Sequence, residues 1–264
     1  MNIKTEPSAI AEDEGGGQSA ALPALYHGRW ERMVYHLWEP ICWLIWRYHQ
    51  GHLQGQPLPG PCILIANHGS YLDWLLLHAV LRHKFHRKIM FIAKEKVARN
   101  PWFSPLVRAT ESIIIVENKA SQTVVMAKRA LTQARPGAAP IIGVFPEGQR
   151  SRDGQLLPAQ SGAAWLARKT GVPLFPVALA GFWEIWPPGR RLPSLKRQRL
   201  AIHFLSPIAP EAIADDQATV DLAMRQIYAI VQQGRAAPGA AVPSGNEPVP
   251  LTDPAEQKRR LQAV

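Results

Sequence analysis

Short apolar runs alternate with amphipathic stretches along the chain between residues 62 and 233. Runs of roughly four to eight apolar residues between turn residues are typical of buried strands, whereas apolar positions three and four apart are typical of helices. The pattern predicts strands at 62–66, 88–94, 113–116, 141–145, 174–180 and 200–205. It predicts helices up to about 82, at 95–109 with an interruption at 100–101, at 121–134, near 162–169 and at 221–233. This alternation predicts an α/β fold with a mixed, largely parallel sheet flanked by helices.

The segment 25–54 has a different pattern and is rich in tryptophan. Apolar residues recur at helical spacing through 26–41, opposite a charged face, and residues 41–46 are apolar on all sides. Pro40 predicts a kink or a restart, because proline removes a helical hydrogen bond. Two short helices with four tryptophans predict an N-terminal amphipathic helical membrane anchor. The alternative is a helix that packs on its own domain.

The two ends differ from the body of the chain. Residues 1–24 are polar, acidic and glycine-rich, and residues 234–264 are rich in alanine and proline. Both compositions predict disorder. A proline- and glycine-rich linker at 54–61 then separates the tryptophan-rich segment from one folded domain, predicted to span residues 55–233.

The net charge of the chain limits the kinds of partner that it can bind. The formal net charge is +10 and the first 25 residues carry −3, so the remainder carries +13. A basic body requires an anionic partner, which can be nucleic acid, an anionic membrane surface or a phosphorylated substrate. Nine tryptophans favour a membrane interface. Two cysteines without CxxC spacing predict a reduced, cytosolic-facing protein. The acidic N-terminus lacks the apolar region of a signal peptide. The sequence also has no uncharged apolar run of about 18 residues, so a spanning helix is not expected.

The strongest chemical signal follows the strand at 62–66. Asn67 and His68 come directly after it, and Asp73 lies five residues beyond His68. Open α/β sheets place ligands and chemistry at the carboxyl ends of strands. If His68 lies in the turn and Asp73 in the first turn of the next helix, the carboxylate fixes the imidazole tautomer and raises its basicity. The alternative is a core histidine beside an acidic helix start.

A second polar cluster follows the strand at 141–145. It contains Glu147, Gly148 and Arg150. Because both clusters follow strands, we expect them at the same edge of the sheet. A glycine permits close backbone approach, and an arginine suits an anion. Taken singly, Glu147 and Arg150 also fit a surface salt bridge.

These residues together resemble a known family. Asn67-His68-x4-Asp73 and the run Phe-Pro-Glu-Gly-Gln-Arg-Ser at 145–151 resemble the glycerolipid acyltransferases, and among them the 1-acylglycerol-3-phosphate (lysophosphatidate) acyltransferases. The run 172–178 is similar to the family's fourth block. The resemblance covers roughly residues 60–207.

The resemblance implies an O-acyltransferase whose catalytic domain spans residues 55–233. His68 is then the general base for the acceptor hydroxyl, Asp73 orients it, and the hydroxyl attacks the thioester directly. The implied donor is acyl-CoA or acyl carrier protein, and the implied acceptor is a lysophospholipid, most simply 1-acylglycerol-3-phosphate, giving phosphatidic acid. The sequence shows no metal or organic-cofactor motif. The residues that the resemblance marks for substrate binding are Asn67, Ser70, Lys94, Phe145, Pro146, Glu147, Gly148 and Arg150.

The chain departs from the family pattern at two cationic positions. In the family's second conserved block, a strand usually ends with an arginine that helps bind the acceptor's phosphate. At the corresponding place, residues 115–118 of this chain read Ile-Val-Glu-Asn, and Lys119 follows one residue later. Where members commonly have a basic pair before Gly-Ala-Ala, this chain has Gln160 and Ser161. Each charge-assisted bond to phosphate contributes on the order of 1.5–3 kcal/mol. The alternative acceptor is therefore another lysophospholipid or a lyso-aminolipid.

The loop 181–199 adds a second membrane signal. Cations near anionic lipid contribute at most about 1 kcal/mol each, and five of them lie near Trp183 and Trp186: Arg190, Arg191, Lys196, Arg197 and Arg199. We predict peripheral or monotopic association with the cytoplasmic face of the inner membrane, and no nucleic-acid partner.

Two other classes of protein stay open. A non-enzymatic basic protein that binds membrane or nucleic acid explains the charge but not the paired clusters. A hydrolase would lack its nucleophile, since the chain has no G-x-S-x-G elbow.

Overall fold

The computed structural model describes residues 29–55, 57, 60–100, 104–110, 112–115, 120–132 and 140–236. The acidic N-terminus predicted at 1–24 and most of the tail predicted at 234–264 lie outside these residues. Residues 116–119, where the sequence lacks the expected arginine, also lie outside them.

In the described part of the chain, seven strands form one mixed sheet in the order β1-β7-β6-β2-β5-β3-β4. β6 and β7 run antiparallel, and the other neighbours run parallel. The predicted strands are confirmed to within one or two residues. The strands are β1 (His52–Gln54), β2 (Cys62–Ala66), β3 (Ile89–Lys94), β4 (Ile113–Ile115), β5 (Ile141–Val144), β6 (Leu174–Ala180) and β7 (Ala201–Phe204).

Helices flank this sheet, together with a short 3-10 turn at Pro210–Ala212. The last helix begins five residues before its predicted start and ends three residues after its predicted end. The helices are α1 (Arg29–Tyr48), α2 (Asp73–Phe85), α3 (Glu95–Arg99), α4 (Ser104–Ala109), α5 (Ala120–Thr132), α6 (Gly162–Thr170), α7 (Phe182–Ile185) and α8 (Asp216–Ala236).

Each face of the sheet carries a hydrophobic core. The side chains of β2 alternate between the two, because successive residues of a strand point to opposite faces. Leu64 joins the core formed with α1, α2 and α7, whereas Ile63 and Ile65 join the core formed with α5, α6 and α8. All five residues of β2 are buried, as expected for the centre of a parallel sheet. The predicted α/β fold with a mixed, largely parallel sheet is confirmed.

The sequence pattern did not reveal β1. This strand has three residues, and it pairs parallel with β7, with His52 opposite Ala201. A strand so short and polar produces no apolar run. Since the predicted domain boundary at residue 55 follows β1, the sheet begins inside the segment predicted to associate with the membrane.

The prediction of two short helices separated at Pro40 is wrong. α1 continues through Pro40 as one helix and contacts α2 and α4. Cys42 and Trp46 are buried against the domain. Gly51 leaves room for Trp46, because a Cβ at residue 51 would lie 2.0 Å from the indole ring. Packing of this face offsets the backbone hydrogen bond that Pro40 removes.

The opposite side of α1 carries an exposed apolar stripe. Five of its side chains are between 43% and 67% exposed and lie three or four positions apart, which places them on one face. This α1 stripe consists of Met33, Leu37, Ile41, Leu44 and Tyr48. α1 thus packs on its own domain with one face and leaves the other apolar face open. Among the described helices, none combines the length and hydropathy of a membrane span.

Candidate active site

The two polar clusters lie side by side at one edge of the sheet, as predicted. β2 and β5 are parallel neighbours, with Cys62 opposite Ile141. The segments that follow them therefore leave the sheet together. The backbone N–H of Ser151 donates to the carbonyl of His68 at 2.8 Å, which joins the two segments directly.

His68 and Asp73 form the predicted pair. Asp73 is the first residue of α2 and is fully buried, and its Oδ2 lies 2.8 Å from Nδ1 of His68. The imidazole is 17% exposed and lines the large cavity described below. Because Nδ1 faces the carboxylate, Nε2 is the nitrogen left for a substrate.

The carboxylate of Asp73 is held in place by the turn between His68 and α2. Its Oδ2 also accepts the backbone N–H groups of Gly69 at 2.7 Å and Ser70 at 2.8 Å. Its Oδ1 is buried and has no hydrogen-bond partner among the described residues. A carboxylate in the first turn of a helix is also favoured by the helix dipole. The N–H groups of the turn therefore fix the carboxylate, and the carboxylate in turn orients the imidazole.

An aromatic column supports the ring of His68. The ring stacks on Phe145 with centroids 4.1 Å apart, and Phe145 stacks on Phe91 at 5.4 Å. Gly143 makes this column possible, since a Cβ there would lie 2.6 Å from Cε1 of Phe91. Sequence reasoning placed Phe145 at the site but missed Phe91 and Gly143. The available signal was a glycine inside a strand, which often marks a close approach.

Glu147 binds backbone groups on both sides. One carboxylate oxygen accepts the N–H of His68 at 2.7 Å, and the other accepts the N–H of Leu157 at 3.0 Å. Burial raises the pKa of Glu147 to about 8, since desolvation outweighs these two hydrogen bonds. Glu147 was predicted to bind substrate, but it is buried and fixes the backbone of His68. The alternative of a surface salt bridge with Arg150 is wrong for the same reason.

Asn67 and Ser70, also predicted to bind substrate, hold backbone groups too. Both amide atoms of Asn67 pair with the backbone of Leu179 in β6, at 3.1 and 2.8 Å. Ser70 is buried, and its hydroxyl donates to the carbonyl of Trp186 at 3.2 Å. These contacts fix the turn that carries His68 and argue against direct contact with a substrate.

A cavity of about 1000 Å³ opens beside His68. Its polar lining includes Lys94, Gly148 and Arg150, which were predicted to bind substrate, and Pro146 lines it as well. Most of the remaining lining is apolar and comes mainly from α2, β3, α3, α4, β4, β5 and α6. It includes Trp74, Phe91, Ile92, Val97, Val107, Ile115, Val144, Phe145, Trp165 and Leu166.

The guanidinium of Arg150 lies over the ring of Tyr71, 3.8 Å from the centroid. Arg150 is partly buried, and desolvation is the main cause that lowers its pKa from the ordinary value. This cation–π contact keeps the positive charge beside the cavity. Sequence reasoning did not identify Tyr71 as its support.

Gln160 lies where the family commonly has a cation. Gly148 adopts a φ of +66°, and a Cβ there would lie 3.7 Å both from Nζ of Lys94 and from Nε2 of Gln160. The N–H of Gln160 donates to the carbonyl of Pro146 at 2.9 Å, which ties it to the second cluster. A neutral amide and one ammonium therefore border the same part of the cavity.

The part of the sequence that carries the two clusters matches a family of enzymes. A family model described as Acyltransferase matches residues 51–180, which include both clusters. Residues 51–180 therefore form a domain of the acyltransferase family.

Curated relatives carry one recurrent name. The chloroplastic 1-acyl-sn-glycerol-3-phosphate acyltransferase of Brassica napus is 31% identical over 169 residues, which are 62% of this chain and 46% of that protein. The 1-acyl-sn-glycerol-3-phosphate acyltransferase beta of Homo sapiens is 25% identical over 191 residues, 71% of this chain and 67% of that protein. The chain spans about half the length of the Brassica napus relative and of a second chloroplastic relative, from Arabidopsis thaliana.

A solved structure shares the fold. The crystal structure of the 1-acyl-sn-glycerophosphate acyltransferase from Thermotoga maritima superposes with a TM-score of 0.60. The match covers 80% of this chain and 84% of that chain at 23% identity. At this identity the likeness establishes the architecture, and the chemistry rests on the residues of the site.

Proposed function

We propose that this chain is an O-acyltransferase that moves a fatty acyl group from a thioester, acyl-CoA or acyl carrier protein, to the free hydroxyl of a lysophospholipid. The observation that carries the proposal is the His68–Asp73 pair beside a large, mostly apolar cavity. The names of the curated relatives support 1-acylglycerol-3-phosphate as the acceptor and phosphatidic acid as the product.

The reaction follows from the orientation of the imidazole. Nε2 of His68 takes the proton of the acceptor hydroxyl while the oxygen attacks the thioester carbonyl. The C–S bond then breaks, and the thiolate takes the same proton back from the imidazolium, which Asp73 stabilises. One ester and one thiol form, no protein group is acylated, and no metal or organic cofactor takes part.

The lining of the cavity supports a lipid substrate. Its apolar part suits an acyl chain, since ligand pockets are mostly apolar with a few polar groups that fix orientation. Lys94 and Arg150 supply positive charge near His68 for an anionic head group. Because such acceptors reside in a bilayer, we further propose peripheral membrane association at the cytoplasmic face of the inner membrane, through the α1 stripe and the cations at 190–199, between α7 and β7.

Substitution of the imidazole tests the reaction. We expect His68→Asn to lower turnover of a labelled acyl donor by about 10²- to 10⁴-fold, the usual contribution of a general base. The matched control is His86→Asn, at an exposed histidine outside the cavity lining. Retention of more than a tenth of wild-type turnover by His68→Asn would count against the proposal. Wild-type release of free fatty acid without acceptor would favour a hydrolase, and inertness towards a full acceptor panel would favour a binding protein.

The second candidate acceptor is a lysolipid with less negative charge, either another lysophospholipid or a lyso-aminolipid. Gln160 favours it, because a neutral amide borders the cavity where a cation is common in the family. We expect Gln160→Lys to raise kcat/KM for 1-acylglycerol-3-phosphate relative to a zwitterionic lysolipid by about tenfold, as one added charge-assisted bond predicts. A panel of acceptors with product identification measures this ratio. A wild-type preference for 1-acylglycerol-3-phosphate that Gln160→Lys leaves unchanged would remove the second candidate.

A further inference from the structure

The segment 187–200, between α7 and β7, holds two leucines out in solvent. Leu192 is 75% exposed and Leu195 is 82% exposed, more than any other large hydrophobic residue described. The same segment contains five cations and no acidic residue, so its formal charge is +5. All five cations are exposed.

Hydrogen bonds hold the backbone of this segment in place. The N–H of Ser194 donates to the carbonyl of Ile185 at 2.7 Å, and Nε1–H of Trp186 donates to the carbonyl of Arg190 at 3.0 Å. The hydroxyl of Tyr48 donates to the carbonyl of Leu195 at 2.8 Å. The backbone is therefore fastened on both sides of the two leucines while their side chains point away from the core.

The segment adjoins the α1 stripe. Tyr48 is the last residue of that stripe, and its carbonyl accepts Nε–H of Arg197 at 3.1 Å. The backbone N–H of Gln198 donates to Nδ1 of His49, the residue after Tyr48, at 3.1 Å. The segment that carries the exposed leucines and cations thus lies against the C-terminal end of the α1 stripe.

Trp186, the residue directly before this segment, is hydrogen-bonded to the turn of the candidate active site. The carbonyl of Trp186 accepts the N–H of Tyr71 at 3.0 Å and the hydroxyl of Ser70 at 3.2 Å. Ser70 in turn donates its N–H to Asp73. The segment and the His68–Asp73 turn therefore belong to one hydrogen-bonded unit.

We propose that Leu192 and Leu195 insert into the interface of an anionic lipid bilayer and, with the α1 stripe, form one docking surface. Charge complementarity selects this partner, because cations that border aliphatic side chains suit anionic head groups above acyl chains. Binding to nucleic acid would use the cations, but single-strand binders rely on aromatic rings for stacking, which these leucines do not supply. Docking through this segment extends the predicted electrostatic contact to insertion of specific side chains.

A fluorescent label tests insertion directly. The native thiols of Cys42 and Cys62 are buried, and burial raises the pKa of each to about 12, so a maleimide dye reacts with an introduced cysteine. An environment-sensitive dye on Leu195→Cys should shift to the blue when vesicles of phosphatidylglycerol and phosphatidylcholine are added. The matched control is Leu222→Cys, at an exposed leucine of α8 on the opposite layer, which should not shift. An unshifted dye at residue 195 on vesicle-bound protein would overturn the proposal.

Partitioning measures the contribution of the two leucines. We expect each of Leu192→Ser and Leu195→Ser to lower the vesicle partition coefficient on the order of tenfold at fixed salt, from the apolar surface that no longer leaves water. Leu222→Ser is the control and should bind as the wild type. Equal binding by the double variant, or release of the wild type by single-stranded RNA, would overturn the proposal. Neither readout requires acyl transfer, so the docking surface and the proposed reaction fail or hold independently.

Discussion

The imidazole of His68 is held through its backbone, its ring edge and its ring face. Glu147 accepts its N–H, Ser151 donates to its carbonyl, Asp73 faces Nδ1 and Phe145 stacks on the ring. Such support matters because a general base contributes only when its geometry is already close to that of the reaction. Asp73 is the acid that faces the imidazole, whereas the neighbouring buried acid binds backbone N–H groups.

That acid, Glu147, predicts a pH dependence of stability. Its pKa is raised to about 8 in the folded protein from an ordinary value of 4.5, so the folded state keeps a proton that the unfolded state loses. Stability from this group is full below about pH 4.5 and is lost as the pH rises through about 8.

Glu147→Gln removes this titration. In urea unfolding at a series of pH values, the wild type should lose stability relative to Glu147→Gln between pH 4.5 and 8, and the difference should level off above that range. The variant should also show a constant loss of about 1–3 kcal/mol, because its amide nitrogen leaves one backbone N–H without an acceptor. A difference between the two proteins that does not change with pH would show that Glu147 ionises normally.

At the scale of elements, strand β5 supports the site because Gly143 has no side chain. Gly143 leaves the space that Phe91 of β3 fills, and Phe91 backs the ring that supports His68. Gly143→Ala should therefore cost about 1–3 kcal/mol of unfolding free energy, as overpacking does. It should also lower turnover, since the column moves towards His68.

Gly60→Ala is the control for this substitution, because a Cβ at residue 60 meets no atom within 4 Å. Thermal or urea unfolding together with an acyl-transfer assay measures both effects. If Gly143→Ala matched Gly60→Ala in both measurements, the column would not support the base.

At the scale of the whole molecule, α1 divides its two faces between the domain and the surroundings. The exposed face predicts a contribution to membrane binding that is separate from stability. Leu37→Ser with Leu44→Ser should weaken vesicle co-sedimentation and leave the unfolding free energy within about 0.5 kcal/mol, since both side chains are largely exposed. Val125→Ser, at a 65% exposed residue of α5, is the control for loss of apolar surface. Complete release of the wild type by salt alone would contradict an apolar contribution from α1.

Much of this architecture was predictable from local pattern. The apolar runs identify β2 to β7, because a buried strand requires consecutive apolar side chains whatever it packs against. The spacing of His68 and Asp73 predicts their contact, because a strand, a turn and a helix start leave few ways to arrange five residues. The common edge of the two clusters follows from the parallel arrangement of the strands that precede them.

The tertiary structure decided what the partners of these residues are. Glu147 reaches His68 across 79 positions of sequence, and Asn67 reaches Leu179 across 112. No local period encodes such distances, so the sequence did not show that Glu147 and Asn67 bind backbone groups of the site. The same holds for Pro40, whose effect on α1 was outweighed by packing against α2. The sequence by itself determined the fold class and the contact between His68 and Asp73, while long-range packing decided which polar groups remain available for a substrate.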